Sequence, residues 1–198
     1  HHPLIFRPLK RVVGADDVQR AVAKAIKHDI TILSMHTNMD NAQGGVNFKM
    51  AEKMQLTGVK FFTEKQVDGI TCGSGVMGEL PGAMAADDFI MMLKREFDVE
   101  CVQCNQLLRR PIRTVAICGG AGSFLLPEAI AAGADAFVTG EMHYHDYFAH
   151  EQEIQIAVIG HYQSEQYTYE IFKSIIEEQC EGVRCVVTSQ NTNPIIYL

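Results

Sequence analysis

The feature that most constrains the fold of this 198-residue chain is an alternation of strand-like and helix-like segments. Three short apolar runs have the length and the β-branched content of buried strands: 115–118, 136–139 and 154–159. Residues 125–132 have the apolar spacing of a helix, with Pro127 in the first turn and Gly133 at the end. Helices that alternate with strands in this way predict an α/β fold.

Segments of both kinds also occur in the rest of the chain. A helix capped by Asp16 or Asp17 is predicted to lead into a strand at residues 30–35. The other predicted elements are a helix over Val46, Met50, Ala51 and Met54, strands at 59–63 and 69–72, a helix at 87–97, and a helix capped by Ser164 that turns Ile171, Phe172, Ile175 and Ile176 inward. Two stretches, which end at 36–40 and 140–146, share a plan of helix, strand and polar loop, as an internal duplication would.

Imidazole and carboxylate side chains gather at or near the predicted strand ends. They are His1, His2, His36, Asp40, His143, His145, His161 and Glu165. Open α/β sheets bind ligands beyond the carboxyl ends of their strands, so this set predicts a binding site there. Imidazole with carboxylate suits divalent Zn, Mn, Fe or Ni, and a carboxylate can bridge two ions. Each histidine taken alone is more often a hydrogen-bonded or surface residue, so the prediction depends on the whole set.

Composition excludes several classes of protein. The net charge is −7, and no cluster of Lys and Arg is dense enough for the phosphate contacts of a nucleic-acid binder. No apolar run approaches the roughly 20 residues that span a bilayer. A chain of this size needs no disulfide framework, so its 6 cysteines favour a reducing compartment, and we expect a cytoplasmic protein.

Two motifs predict less than their patterns suggest. Cys101 and Cys104 form a single CxxC without the second ligand pair that a zinc site needs, so buried structural cysteines are the simpler interpretation. Residues 73–78 match GxGxxG, but Pro81 follows too soon for the motif to open a helix on a dinucleotide. Residues 119–122 lie between a strand and a helix, where they could bind an anion or serve as a tight turn.

Five blocks of the sequence resemble one known family, the GTP cyclohydrolase 1 type 2 homologues, also called NGG-interacting-factor-like proteins. The blocks are His1-His2-Pro-Leu-Ile-Phe with Pro8-Leu-Lys, His36-Thr-Asn-Met-Asp40 with Gly44-Gly45, Gly119-Gly with Gly122-Ser, Ala132 to Gly140, and Gly160-His-Tyr with Glu165. The chain begins with His1 and His2, which alone would suggest a purification-tag remnant or a cut inside a domain. The resemblance instead implies that they are metal ligands.

The resemblance implies a fold, a ligand set and an assembly. The fold is a three-layer α/β protein of two similar lobes, each with a sheet flanked by helices. Here we expect one metal-binding domain over residues 1–198, with lobes 1–57 and 113–198, a linking segment 58–112, and an N-terminal portion missing. Two divalent ions would be held by His1, His2, Asp40, His161 and Glu165, with Asp40 as the bridge. His36, Thr37 and His145 match positions near these ligands, and members usually form a toroidal homohexamer.

Dinuclear sites of this kind favour hydrolysis, because paired cations activate water at neutral pH. The family name implies opening of the guanine imidazole ring of GTP with release of formate, so we expect a small-molecule substrate, GTP or another nucleotide. Glu165 and His145 are the candidate catalytic proton carriers. One alternative is a hydrolase of another phosphoester or cyclic amide. The other is a non-catalytic metal-binding scaffold or regulator.

Overall fold

The computed structural model describes residues 1–197 and forms two compact units, residues 1–39 and the residues from Asp40 onward. The lobes predicted at 1–57 and 113–198 stay a prediction. Within the described residues, no helix has the length and apolar character needed to cross a membrane.

The second unit is a mixed α/β structure around one six-stranded sheet, as the sequence predicts. Its helices are α3 (Val46–Lys53), α4 (Ala86–Glu96), α5 (Leu126–Ala131), α6 (His161–Glu165) and α7 (Thr168–Gln179). Its strands are β1 (Thr57–Phe61), β2 (Glu64–Val67), β3 (Ile70–Gly73), β4 (Val76–Met84), β5 (Gln103–Cys104), β6 (Ile112–Cys118), β7 (Ala136–Thr139) and β8 (Gln155–Val158). The sheet order is β1-β4-β6-β7-β8-β5, and β2 with β3 forms a separate antiparallel ribbon. Strands from 58–112 therefore share one sheet with strands from 113–198.

The three central strands are parallel, and both of their faces are buried. β6 pairs with β7 and β7 pairs with β8, each in the parallel sense. Alternate side chains enter two separate cores: Val115 and Val138 lie on the side of α3 and α4, and Ala116 and Phe137 on the side of α5. Burial on both faces explains why these strands read as continuous apolar runs. The parallel pairing places the carboxyl ends of the three strands at the same edge of the sheet.

The first unit contains α1 (Asp17–Lys27) and the short helix α2 (Thr37–Asp40), which ends at the first residue of the second unit. The predicted cap is confirmed, since the carboxylate of Asp16 accepts a 2.8 Å hydrogen bond from the backbone N–H of Gln19. The strand predicted at residues 30–35 is wrong, because no strand forms there and Leu33 is 75% exposed. An apolar run becomes a strand only where another strand supplies hydrogen bonds, and no described residue pairs with this one.

The prediction of a helix capped by Ser164 is also wrong. Ser164 lies inside α6, and the N-terminal cap of α7 is Tyr167, with no side-chain hydrogen bond. Ile175 is 42% exposed, so the predicted inward face of α7 is only partly buried. A serine between a strand and a helical pattern resembles a cap in sequence. Here Ser164 lies within a separate short helix, α6, which precedes α7.

The GxGxxG segment forms strands, in agreement with the rejection of a dinucleotide loop. Gly73 ends β3, and Gly78 lies in β4. A Cβ atom on Gly73 would lie 2.9 Å from the Cβ atom of Phe61, and a Cβ atom on Gly75 would lie 2.6 Å from Cε1 of Phe62. These glycines are therefore explained by close packing against aromatic rings rather than by phosphate binding.

Candidate metal centre

Three loops meet at the carboxyl edge of the parallel strands. They follow β6, β7 and β8, and their first glycines are Gly119, Gly140 and Gly160. The backbone N–H of Glu141 donates to the carbonyl of Gly120 at 2.9 Å, which joins the first two loops. The sequence predicts polar loops at strand ends, and in the structure these three loops share one edge.

Ser164 and Asn47 fix the backbone at this edge. The hydroxyl of Ser164 accepts a 2.9 Å hydrogen bond from the N–H of Gly120 and donates to the carbonyl of His161 at 2.8 Å. The side chain of Asn47, 1% exposed on α3, accepts from the N–H of Gly119 at 2.8 Å and donates to the carbonyl of Asp40 at 3.0 Å. Asn47 therefore ties the backbone of Asp40 to the loop after β6.

The side chains of Asp40, His161 and Glu165 gather at this edge. A carboxylate oxygen of Asp40 and one of Glu165 lie within 4.8 Å of each other. Nε2 of His161 lies 3.3 Å from Oε2 of Glu165, one turn later on α6, and Nδ1 lies 2.8 Å from Oε1 of Glu141. The structure thus places two of the other proposed ligands, Asp40 and His161, each close to Glu165.

Glu141 is a residue that the sequence analysis missed. It directly follows the block from Ala132 to Gly140 that was quoted for the family resemblance, and this position is the one signal that could have found it. A carboxylate on the outer nitrogen of a ligating imidazole fixes the tautomer and orientation of the ring. Glu141 has this position relative to His161.

The carboxylates hold His161 in its charged form in the absence of metal. The hydrogen bond with Glu165 is the largest cause, burial opposes it, and Glu141 adds to it, so that the pKa of His161 is raised to about 9. A ligating imidazole must be neutral, so metal binding at this site would release a proton.

Gly120 leaves the space that the side chains of Glu165 and His161 occupy. Its φ is +60°, and a Cβ atom there would collide with Oε1 of Glu165 and lie 3.5 Å from Nε2 of His161. A side chain at this position would be strained by its backbone conformation and would displace the carboxylate.

Cys118 lies beside the same carboxylates and stays a thiol. Burial first, and then the charges of Asp40 and Glu165, raise its pKa to about 12. Its sulfur donates to the carbonyl of Ser74 at 3.0 Å. Cys101 and Cys104, the CxxC pair, are both exposed free thiols, so the prediction that they are buried is wrong: the short edge strand β5 leaves them at the surface.

The first unit holds three imidazoles as a group of its own. The ring centroids of His1 and His2 lie 5.5 and 5.2 Å from that of His36, and Phe6 stacks on His2 at 5.1 Å. The hydroxyl of Thr37 lies 3.4 Å from Nδ1 of His36. His36 and Thr37, predicted near the ligands, therefore lie with His1 and His2.

His145 lies in the second unit on a 3-10 turn, Tyr144–Tyr147, in the loop after β7. The side chain is exposed, and its ring contacts are with Tyr144 at 5.4 Å and Phe148 at 6.4 Å between centroids. The role of His145 as a proton carrier stays a prediction.

A family model described as Duf34/NIF3 (NGG1p interacting factor 3) matches residues 1–194, so the chain belongs to this family and the resemblance is confirmed. A "GTP cyclohydrolase 1 type 2 homolog" of Streptococcus pneumoniae is 32% identical over 148 residues, which are 73% of this chain and 54% of the relative. A relative of the same name in Clostridium perfringens is 28% identical over 202 residues, with 100% of this chain and 76% of the relative covered. The chain thus spans about half of the first relative.

Solved structures share the fold. The Staphylococcus aureus hypothetical protein SA1388 has a TM-score of 0.89 at 25% identity, over 100% of this chain and 78% of that chain. A Bacillus cereus protein related to NIF3 has a TM-score of 0.86 at 22% identity, over 100% and 82%. Reduced HcgD from Methanocaldococcus jannaschii has a TM-score of 0.67 at 22% identity, over 90% and 68%.

Proposed function

We propose that this protein binds two divalent metal ions and uses them to hydrolyse a small molecule. The observations that carry the proposal are the approach of a carboxylate oxygen of Asp40 to within 4.8 Å of one of Glu165, and the contact of Glu165 with His161 in the space left by Gly120. Carboxylate oxygens and an imidazole nitrogen suit Zn, Fe, Mn or Ni.

The proposed ligands are the five that the family resemblance implies. His1 and His2 belong to the histidine group of the first unit, and His161 and Glu165 belong to the second. Asp40 is the proposed bridge, as the family resemblance implies, and a carboxylate is able to bridge two ions. His36 is proposed to orient the rings of His1 and His2, as Glu141 is proposed to orient His161.

When bound, the two cations would supply Lewis-acid chemistry and make water nucleophilic at neutral pH. The residues of the chain would position the substrate and move protons. Glu165 is the first candidate proton carrier, because its carboxylate lies 3.3 Å from an imidazole nitrogen. His145 is the second, as an exposed imidazole in the loop after β7.

The named candidate substrate is GTP, whose imidazole ring would be opened with consumption of water and release of formate. The support is the name of the curated relatives. Hydrolysis of another phosphoester or a cyclic amide is the nearest alternative, and a homohexamer in the cytoplasm is the proposed setting. A non-catalytic metal-binding scaffold would need neither an open coordination position nor a proton carrier.

The test is release of formate from GTP by metal-loaded protein. The Glu165→Gln variant should lower the rate about 100-fold or more, since general acid–base groups contribute at least that much. Glu177→Gln, on the exposed side of α7, is the matched control and should retain the rate. Metal-dependent hydrolysis of a different substrate, without formate release from GTP, would reject GTP. A metal-loaded protein that hydrolyses neither GTP, nor another phosphoester, nor a cyclic amide would favour the scaffold.

A further inference from the structure

Three aromatic rings form an exposed group in the loop after β7. We call Tyr144, His145 and Phe148 the ring cluster. The centroids of Tyr144 and Phe148 lie 5.2 Å apart in an edge-to-face arrangement, and His145 lies 5.4 Å from Tyr144. Tyr144 is 73% exposed and Phe148 is 54% exposed. Apolar ring surface of this extent gains free energy when a ligand covers it.

The backbone beneath the ring cluster is held in place. The N–H of His143 donates to the carboxylate of Asp146 at 3.2 Å, and the N–H of Asp146 donates to the carbonyl of His143 at 3.0 Å. On either side, Met142 and Tyr147 pack against the core that lies between the sheet and α5. The exposed rings therefore project from an anchored turn, which lowers the entropy lost when a ligand stacks on them.

The ring cluster begins three residues after Glu141, which contacts His161. Three residues of extended chain span at most about 10 Å. The same Glu141 donates its N–H to Gly120, so this loop is joined to the candidate metal centre. A molecule of nucleoside size could contact both the rings and the group of Asp40, His161 and Glu165.

We propose that the ring cluster is a stacking site for the purine base of the substrate. This inference rests on the proposed function, which puts the reacting bond at the metal centre. Metal ligands alone do not orient a flat ring, so the ring needs a second contact. Aromatic side chains bind a base through its π face, and they do so without a charge. The carboxylate of Asp146, in the same turn as the rings, disfavours a phosphate beside them, which directs the base rather than the phosphate end to the rings.

The experiment uses inosine, a purine nucleoside without phosphate, as the probe, with ribose as the base-free comparison. Saturation-transfer NMR on the full chain should show contact to the base protons of inosine and none to ribose. The double variant Tyr144→Ala with Phe148→Ala should weaken inosine binding about fivefold or more. Ile70→Ala removes a 68% exposed side chain from β3 and is the matched control, with unchanged binding.

The outcomes separate this inference from the proposed function. Inosine binding that depends on the rings, in a protein that releases no formate from GTP, supports the ring site and rejects that substrate. Formate release with an unchanged KM in the double variant supports hydrolysis and overturns the ring site. Absence of inosine binding to the unmodified protein, or a change in oligomeric mass in the double variant without a change in inosine binding, also overturns it.

Discussion

At the scale of single residues, Gly120 links the backbone to the proposed chemistry. Replacing it with alanine should cost about 1 to 2 kcal/mol of unfolding free energy, because its φ is +60°. It should also lower metal affinity at least tenfold, because the new Cβ atom would displace Glu165. Urea unfolding and metal titration measure the two effects.

Gly133→Ala is the matched control for this change. Gly133 also has a positive φ, +77°, but a Cβ atom there would have no neighbour within 4 Å. The Gly133→Ala variant should lose a similar free energy of unfolding and keep the metal affinity of the unmodified protein. Equal metal affinity in the two variants would contradict the assigned role of Gly120.

At the scale of elements, Asn47 connects α3 to the loop after β6. Asn47→Ala should lower the free energy of unfolding by about 2 to 4 kcal/mol, because the N–H of Gly119 and the carbonyl of Asp40 would lose their partner in a buried place. Chemical denaturation measures this loss. A loss below about 0.5 kcal/mol would show that water replaces the side chain.

The elements also show what could be predicted from the sequence. β6, β7, β8 and α5 follow the predicted order, because burial on both faces gives each strand a continuous apolar run. The strand at residues 30–35 was predicted from an apolar run of the same kind. Such a run does not show whether a second strand lies beside it to supply hydrogen bonds. β4 was missed because Gly78, Pro81 and Gly82 disguise it, although Pro can lie in a strand where no ladder hydrogen bond is needed.

Some residues of the candidate site could be predicted from the sequence, and others could not. His161 and Glu165 lie beyond the carboxyl end of β8, as expected of polar residues that follow a parallel strand. Asp40 also lies close to Glu165, but it ends the short helix α2, because the strand predicted before it does not form. Spacing alone could not reveal Glu141 or Ser164, because both act through contacts with residues about 20 to 44 positions away. Long-range contacts of this kind depend on the sheet order, which no local pattern encodes.

At the scale of the whole molecule, the central claim is that this member of the DUF34/NIF3 family holds two divalent ions. The direct measurement is elemental analysis of protein purified without a chelating column. The unmodified chain should carry two ions per chain. Asp40→Ala should lose most of them, because the proposed bridge is removed, whereas Asp87→Ala on the exposed side of α4 should keep both. Full metal content in Asp40→Ala, or no metal in the unmodified protein after loading, would contradict the claim.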